Sequence, residues 1–470
     1  MKLRVWGATL LFVLSLILSG CGGAGSSTSQ NGNALNPQVQ NASTFVTADD
    51  APLPSVLDFN VTINSIVLNG TNSTTGNLLS QPVTVDFARL IGLRQLLAFN
   101  SVAGGTYSSV TFQLANPSIT YLDLTTTPPS ATTMNGSWAS GVSVQNGVAT
   151  VTVALKNTLT LSSSSLVGFH MHFDLRTSLQ TDGTGQVTGA VNPQITANAI
   201  APSDDDAQLT DLRGSVVSTS SSSYVLQKWD GKQITVDVNS QTTFSDGYTL
   251  ATLTQGMVTE VEGAVQSDGS ILATSIEVVA VEHAFLEGPI IYVDPNGKNI
   301  TVLANEESVA IPGVPLETPV TLDISTVQRY SICGIDNWLT SFVFNATSLV
   351  AGQHIAMGGT IDNSTSPATF VPARIRLERQ GVNGTIVANS VTITSGNAGS
   401  FQIQNSALLG YVLGAPLTVN TSNGTRFPNV NGLAGLQSGG TMELEVRGLV
   451  LKDPTSGAAT MYAHWVKVLQ

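Results

Sequence analysis

From Thr44 onward the chain runs in short stretches of alternating apolar and polar residues, separated by clusters of Gly, Asn, Asp, Pro and Ser. Alternation with period two puts every second side chain on one face of an extended strand, so the pattern predicts half-buried strands joined by turns. Leu57, Phe59, Val61 and Ile63 share one face, as do Val110, Phe112 and Leu114. Asp268-Gly269 and Asp294-Pro295-Asn296-Gly297 read as hairpin turns. One segment departs from the pattern. Residues 88–98 (ARLIGLRQLLA) space Leu90, Ile91, Leu93, Leu96 and Leu97 as an apolar stripe, which predicts one short helix in an otherwise all-β chain.

The second half of the chain repeats itself. Residues 253–265 (LTQGMVTEVEGAV) return as 349–361 (LVAGQHIAMGGTI) and, with a short insertion, as 436–450 (LQSGGTMELEVRGLV). Each copy closes on a strand in the same apolar phase, at 272–278, 371–377 and 462–468, and each opens on a glycine followed by apolar residues, at Gly214, Gly288 and Gly384. Three tandem units follow, at 211–283, 284–380 and 381–470. Each offers about five strands, too few for two covered sheets, so closure into a small barrel is the economical way to remove sheet edges. OB-like barrels are expected, with glycines at the bends where the sheet curls. The middle unit carries an insertion at 312–344. Residues 44–200 lack the repeat and predict a β-sandwich, and the acidic stretch 201–210 (APSDDDAQLT) reads as a linker to a beaded array.

The N-terminus carries an address. Lys2 and Arg4 precede an apolar run from Val5 to Leu18, which has the layout of a secretory leader and is short for a membrane span. It ends in Leu18-Ser19-Gly20-Cys21, which resembles the lipobox of bacterial lipoproteins. That resemblance implies signal residues 1–20, a diacylglyceryl group on Cys21 as the mature N-terminus, fatty-acid (palmitate) modification, and, with Gly22 next, sorting to the outer membrane. Residues 22–43, small and polar, read as a flexible tether with a root-mean-square reach of about 25 Å, taking about 5 to 6 Å times the square root of the residue number. Cys333 then has no partner for a disulfide and is expected to be a buried, inert thiol.

Composition narrows the function. Of 470 residues only 10% are charged, the formal net charge is −13 and 42% are hydrophobic. The acidic balance, without a cluster of Lys and Arg to displace counterions, excludes nucleic acid as partner. The hydrophobic fraction excludes a disordered chain.

Two stretches resemble known families. Residues 44–200 resemble a bacterial lipoprotein domain family of unknown function through Thr47-Ala48-Asp49-Asp50-Ala51-Pro52, the strand 59–63, Gly105-Thr106-Tyr107 and Phe173-Asp174-Leu175. Residues 211–282 resemble a second family of unknown function, found as tandem barrel repeats, through Gly214-Ser215-Val216, residues 234–238 and Val261-Glu262-Gly263. Neither resemblance carries an activity, so no catalytic residue transfers.

Candidate chemistry is sparse. In residues 169–175 (FHMHFDL) alternate positions place His170, His172 and Asp174 on one strand face, a donor set suited to Zn²⁺ or Cu²⁺, with the solvated face of an amphipathic strand as the simpler reading. Asp204, Asp205 and Asp206, or Asp49 and Asp50, offer oxygens for Ca²⁺ without the spacing of an EF-hand, so an acidic linker is the simpler reading there too. Tyr224, Trp229, Trp338, Tyr411 and Trp465 are candidate platforms for sugars or core residues, Trp338 standing in the insertion as the main candidate ligand contact. No nucleophile elbow, P-loop, H-E-x-x-H or C-x-x-C is present. The expectation is a lipid-anchored cell-envelope protein without catalytic residues or a cofactor, binding a glycan or a surface protein. A structural spacer, an envelope polysaccharide hydrolase and a metal-binding protein are the alternatives.

Overall fold

The computed structural model describes residues 41–469, apart from 124–129, 334–341, 405–415 and several stretches of one to four residues. Cys21, the tether as far as residue 40, Trp338 and Tyr411 lie outside the described residues. Residues 40–470 form one compact unit.

The alternating pattern of the N-terminal region builds a ten-stranded sheet whose two halves enclose one core. In one half Val56–Gly70 pairs antiparallel with Gly105–Asp123. In the other, Asn41–Ala51 lies between Gln95–Ala103, antiparallel, and Leu166–Asp174, parallel. The halves meet through the pair Ala197 and Leu155. They face each other across the core, where the rings of Phe59 and Phe173 lie 5.6 Å apart and those of Phe112 and Phe169 6.5 Å apart. This is the two-layer arrangement of a sandwich.

The helix expected at 88–98 is absent: Ala88–Leu90 is a single 3₁₀ turn, and Gln95–Ala103 is a strand. The reason lies in burial on both faces. Leu97 enters the sandwich core, whereas Leu96 enters the core of the first repeat, and on the neighbouring strand Val46 and Phe45 divide in the same way. A strand covered on both sides loses its polar alternation and mimics a helical stripe. Residues 41–43, expected to end the tether, belong instead to the first strand.

The three repeats occupy sheets running from Gln208–Thr219 to Ile271–Ala280, from Ala284–Val293 to Thr369–Leu377, and from Gln380–Ile386 to Ala459–Val468. In the first, the opening strand pairs with Ser223–Gln227 and Val258–Val265, and the third strand Gln233–Asp237 pairs parallel with the last, closing a five-stranded barrel. The third repeat closes identically, with Leu417–Thr421 parallel to Ala459–Val468. This connectivity is OB-like. The second repeat differs: no pairing closes Pro319–Asp323 onto Thr369–Leu377 among the described residues, and the strand Arg329–Ile332 from the insertion pairs with the latter instead.

Two glycine positions recur in all three units because a neighbouring strand passes too close for a side chain. A Cβ at Gly214, Gly288 or Gly384 would lie 2.3, 1.6 or 2.5 Å from a carbonyl oxygen across the sheet. At Gly263, Gly359 and Gly448 the corresponding distances are 2.4, 2.2 and 2.0 Å. The repeat is thus written around two bends that only glycine fits.

The repeats do not sit apart as beads. Arg213 and Glu287, which precede the aligned Gly214 and Gly288, form an ion pair between the first and second repeats. Glu277 and Arg376, which follow the aligned Ile276 and Ile375, form another. Pairing of like positions is what a two-fold relation produces, so the first two repeats meet as the halves of a fused, pseudo-symmetric dimer. Val258, Val279, Ala280, Phe285 and Ala356 seal that interface. In the third repeat the same positions hold Asn383 and Lys467, which cannot repeat either pair. That copy instead adds Leu449 and Leu451 to the core of the second.

Candidate functional site

Ionic residues from three domains converge in the interior. Arg89 of the sandwich reaches Asp211 at 2.5 Å and Glu306 at 2.9 Å. Arg213 contacts Glu287, Glu260 at 3.0 Å and Asp211 at 3.2 Å. Burial alone would lower the affinity of both guanidinia for their protons, but the surrounding carboxylates hold them above the ordinary arginine range. Burial pushes Glu260 up to about 7 despite Arg213, with Glu378 adding repulsion. His354 Nε2–H donates to the Glu287 carboxylate at 2.6 Å, and burial with the charges of Arg89 and Arg213 brings the histidine down to about 3, so it is neutral. Such a network fixes how the domains sit because each charge is costly without its partner.

Beside this network is a cavity of about 270 Å³. Leu93 and Arg94 of the sandwich, Gln208, Thr210, Glu262 and Thr274 of the first repeat, and Arg447, His464 and Trp465 of the third contribute to its wall. Arg213, Arg379 and Arg426 complete a basic lining interrupted by Asp205, Glu260 and Glu262. Arg94 is positioned by its own backbone, whose N–H donates to Thr210 at 2.9 Å, and by Asp206, which its Nη2 meets at 2.8 Å. Arg447 lies over the Trp465 indole at 4.3 Å, and Lys467 approaches the same ring at 5.7 Å. With cations on it and only 5% exposure, that indole is not a free platform for sugars.

The histidine strand behaves differently from its sequence pattern. Phe169, Met171 and Phe173 are in the core as expected. Asp174, however, turns away from the histidines: it accepts from the Thr177 N–H at 3.3 Å and caps Leu175–Ser178. Asp49 takes its place, with one oxygen 3.0 Å from His170 Nε2 and 2.7 Å from His172 Nδ1. Thr47 spends its hydroxyl proton on the Asp206 carbonyl at 2.8 Å, so His170 Nδ1 donates to Thr47 at 2.9 Å. Both His170 nitrogens therefore have protein partners. Burial opposes ionisation of Asp49, yet the two histidines hold its carboxyl well below the usual range. Burial likewise opposes protonation of His172, but Asp49 raises it above its ordinary value.

The acidic stretch is a clasp. Asp204 accepts from the Ala201 N–H at 2.8 Å, Asp205 pairs with Arg426 of the third repeat at 3.1 Å, and Asp206 pairs with Arg94 of the sandwich. The three carboxylates serve three different partners instead of converging on one point. Asp50 is buried, accepts from the Leu175 N–H at 3.2 Å and is pushed well above the usual range by burial. Tyr224 and Trp229 are packing residues, the first hydrogen-bonded to Thr259 at 3.0 Å and the second stacked on Phe285 at 6.2 Å. Cys333 is a buried free thiol, raised by burial and by the nearby Glu378 and Glu260. Among the described residues, Glu260, Cys333 and Glu378 form the one group whose donor atoms lie close enough for a metal ion.

The cavity residues Arg94, Arg379, Arg426, Arg447 and His464 escaped sequence reasoning. They are single residues far apart in the chain, Arg447 and His464 on strands and Arg94, Arg379 and Arg426 in the segments between strands, and the available signal was scarcity: with only 18 Lys and Arg in the chain, isolated arginines invite an explanation.

The architecture is thus an all-β sandwich joined to OB-like repeats around a basic cavity. Residues 43–188 match the family model described as Domain of unknown function (DUF4382), and residues 213–277 match that described as Domain of unknown function (DUF5666). The chain combines these two families of domain. No curated protein matches it.

Proposed function

We propose that this chain is a lipid-anchored, outer-membrane binding protein without catalytic activity, which takes its ligand, a glycan or part of a surface protein, at the cavity between sandwich, first repeat and third repeat. The observation that carries the reading is that three domains supply polar side chains to one cavity of about 270 Å³, the sandwich and first repeat joined by the buried Arg89–Asp211 pair and the third repeat by the surface pair Arg426–Asp205. Sites of this size at domain junctions are the usual place for a small ligand or one residue of a larger one. The Leu18–Cys21 motif supports the anchor.

Two experiments test the reading. The Cys21→Ala variant is expected to leave the membrane fraction; a variant that stays there refutes lipid anchoring. On an array of envelope glycans and surface proteins, the chain is expected to bind a defined subset, and Thr274→Trp, which fills the cavity from an exposed wall position, is expected to abolish that binding. Binding indifferent to Thr274→Trp would refute the cavity as the site.

A further inference from the structure

We propose that the cavity holds an oxyanion, a carboxylate, phosphate or sulfate group of a small ligand, between Arg94 and Arg447; the proposal rests on the cavity being the binding site. Five of the chain's 18 basic residues, Arg94, Arg213, Arg379, Arg426 and Arg447, line this one space in a protein of net charge −13. Three carboxylates share the wall, and each is already matched: Asp205 with Arg426 at 3.1 Å, Glu260 with Arg213 at 3.0 Å, Glu262 with Arg379 at 2.6 Å. Arg94 and Arg447 differ in that their carboxylate partners, Asp206 and Glu445, are not part of the cavity wall.

Both retain unused donors. Arg447 touches its one ion-pair partner, Glu445, through Nε alone at 3.3 Å, and its buried Nη2 has no hydrogen-bond partner among the described residues. Arg94 uses Nη2 for Asp206, while its buried Nε is without a partner among the described residues. A buried guanidinium donor left unmatched is costly, and an oxyanion that presents two oxygens, as carboxylate, phosphate and sulfate do, is the group that fits a guanidinium fork. Trp465 fixes the plane of the Arg447 fork, which prepares it for such a contact. Burial, followed by repulsion from Arg94, brings Arg447 down to about 10, a penalty that an anion between the two would relieve.

The test is isothermal titration of the full chain in detergent with glucuronate, inorganic phosphate, inorganic sulfate and neutral glucose. At least one anion is expected to bind saturably and to identify the group, with glucose giving no heat. Arg447→Gln and Arg94→Gln should each weaken binding at least tenfold, and Arg447→Lys, which keeps the charge but loses the fork, should also weaken it. Melting curves of each variant confirm that it is folded. Anion binding that survives both Gln variants overturns the proposal. If no anion binds while a neutral ligand does so in a manner lost in Thr274→Trp, the oxyanion is refuted and the cavity reading stands. If no probe binds and Thr274→Trp alters no array signal, both fall.

Discussion

Removing the Arg213 guanidinium is the most demanding test of how the domains are held. Its side chain is 5% exposed and contacts Asp211, Glu260 and Glu287. In Arg213→Leu these carboxylates lose their shared cation, although Arg89 stays beside Asp211 at 2.5 Å and Glu287 at 3.6 Å, and Glu287 keeps the hydrogen bond from neutral His354. Breaking a buried pair by removing one partner costs about 3–5 kcal/mol, because the remaining charge is left in the interior. At roughly 2 °C per kcal/mol for a large cooperative unit, scanning calorimetry should show the melting temperature falling by about 6–10 °C. Replacing both Arg213 and Glu287 with Leu should recover part of the loss, since one stranded carboxylate is gone, giving a coupling of about 1–3 kcal/mol. A loss below about 1 kcal/mol in the single variant would refute the claim that this network holds the interface.

Other expectations follow from the same geometry. Glu260, at about 7 instead of its ordinary 4.5, favours folding while protonated, so its contribution is complete below pH 4.5 and fades as pH rises through about 7; Glu260→Gln should flatten that decline in chemical denaturation. His172 is raised by Asp49, so its contribution is complete below its unfolded value near 6.5 and is lost as pH rises through the higher folded value; Asp49→Asn should bring the His172 midpoint down by NMR, and an unmoved midpoint would contradict the pairing. Gly288→Ala sets a Cβ 1.6 Å from the Leu303 carbonyl oxygen and should cost about 3 kcal/mol or more, whereas Gly297→Ala, with open space but a φ of 66°, should cost about 1 kcal/mol, as urea midpoints would show. Cys333 should resist iodoacetamide in the folded chain and react once denatured; rapid native alkylation would contradict its burial.

Much of this architecture was legible before any coordinates. Period-two alternation announced the strands, and the returning glycines marked the repeats because each answers a carbonyl too close for a Cβ. Where sequence reading failed, tertiary contacts had erased the local signal. Leu96 and Leu97 look helical because two different cores bury the opposite faces of one strand. Asp174 shares a strand face with His170 and His172, but helix capping claims it, and Asp49, 123 residues from His172 in the chain, is the acid that the parallel pairing of Asn41–Ala51 with Leu166–Asp174 delivers. The cavity was invisible for the same reason. Arg94, just before the strand Gln95–Ala103, and Arg447, on the strand Glu443–Lys452, are distant in the chain, and only the packing of the third repeat against the sandwich brings them to one space.

The most direct measurement is the melting temperature of the full chain and of Thr274→Trp against a panel of envelope glycans, glucuronate, phosphate, sulfate, Ca²⁺, Zn²⁺ and Cu²⁺. A ligand that binds the folded state adds about 2.7 kcal/mol at a hundredfold excess over Kd, enough for a shift of several degrees. The account predicts a rise with a glycan or an oxyanion that disappears when the cavity is filled. A rise that persists in Thr274→Trp, or one produced by the metals alone, would contradict it.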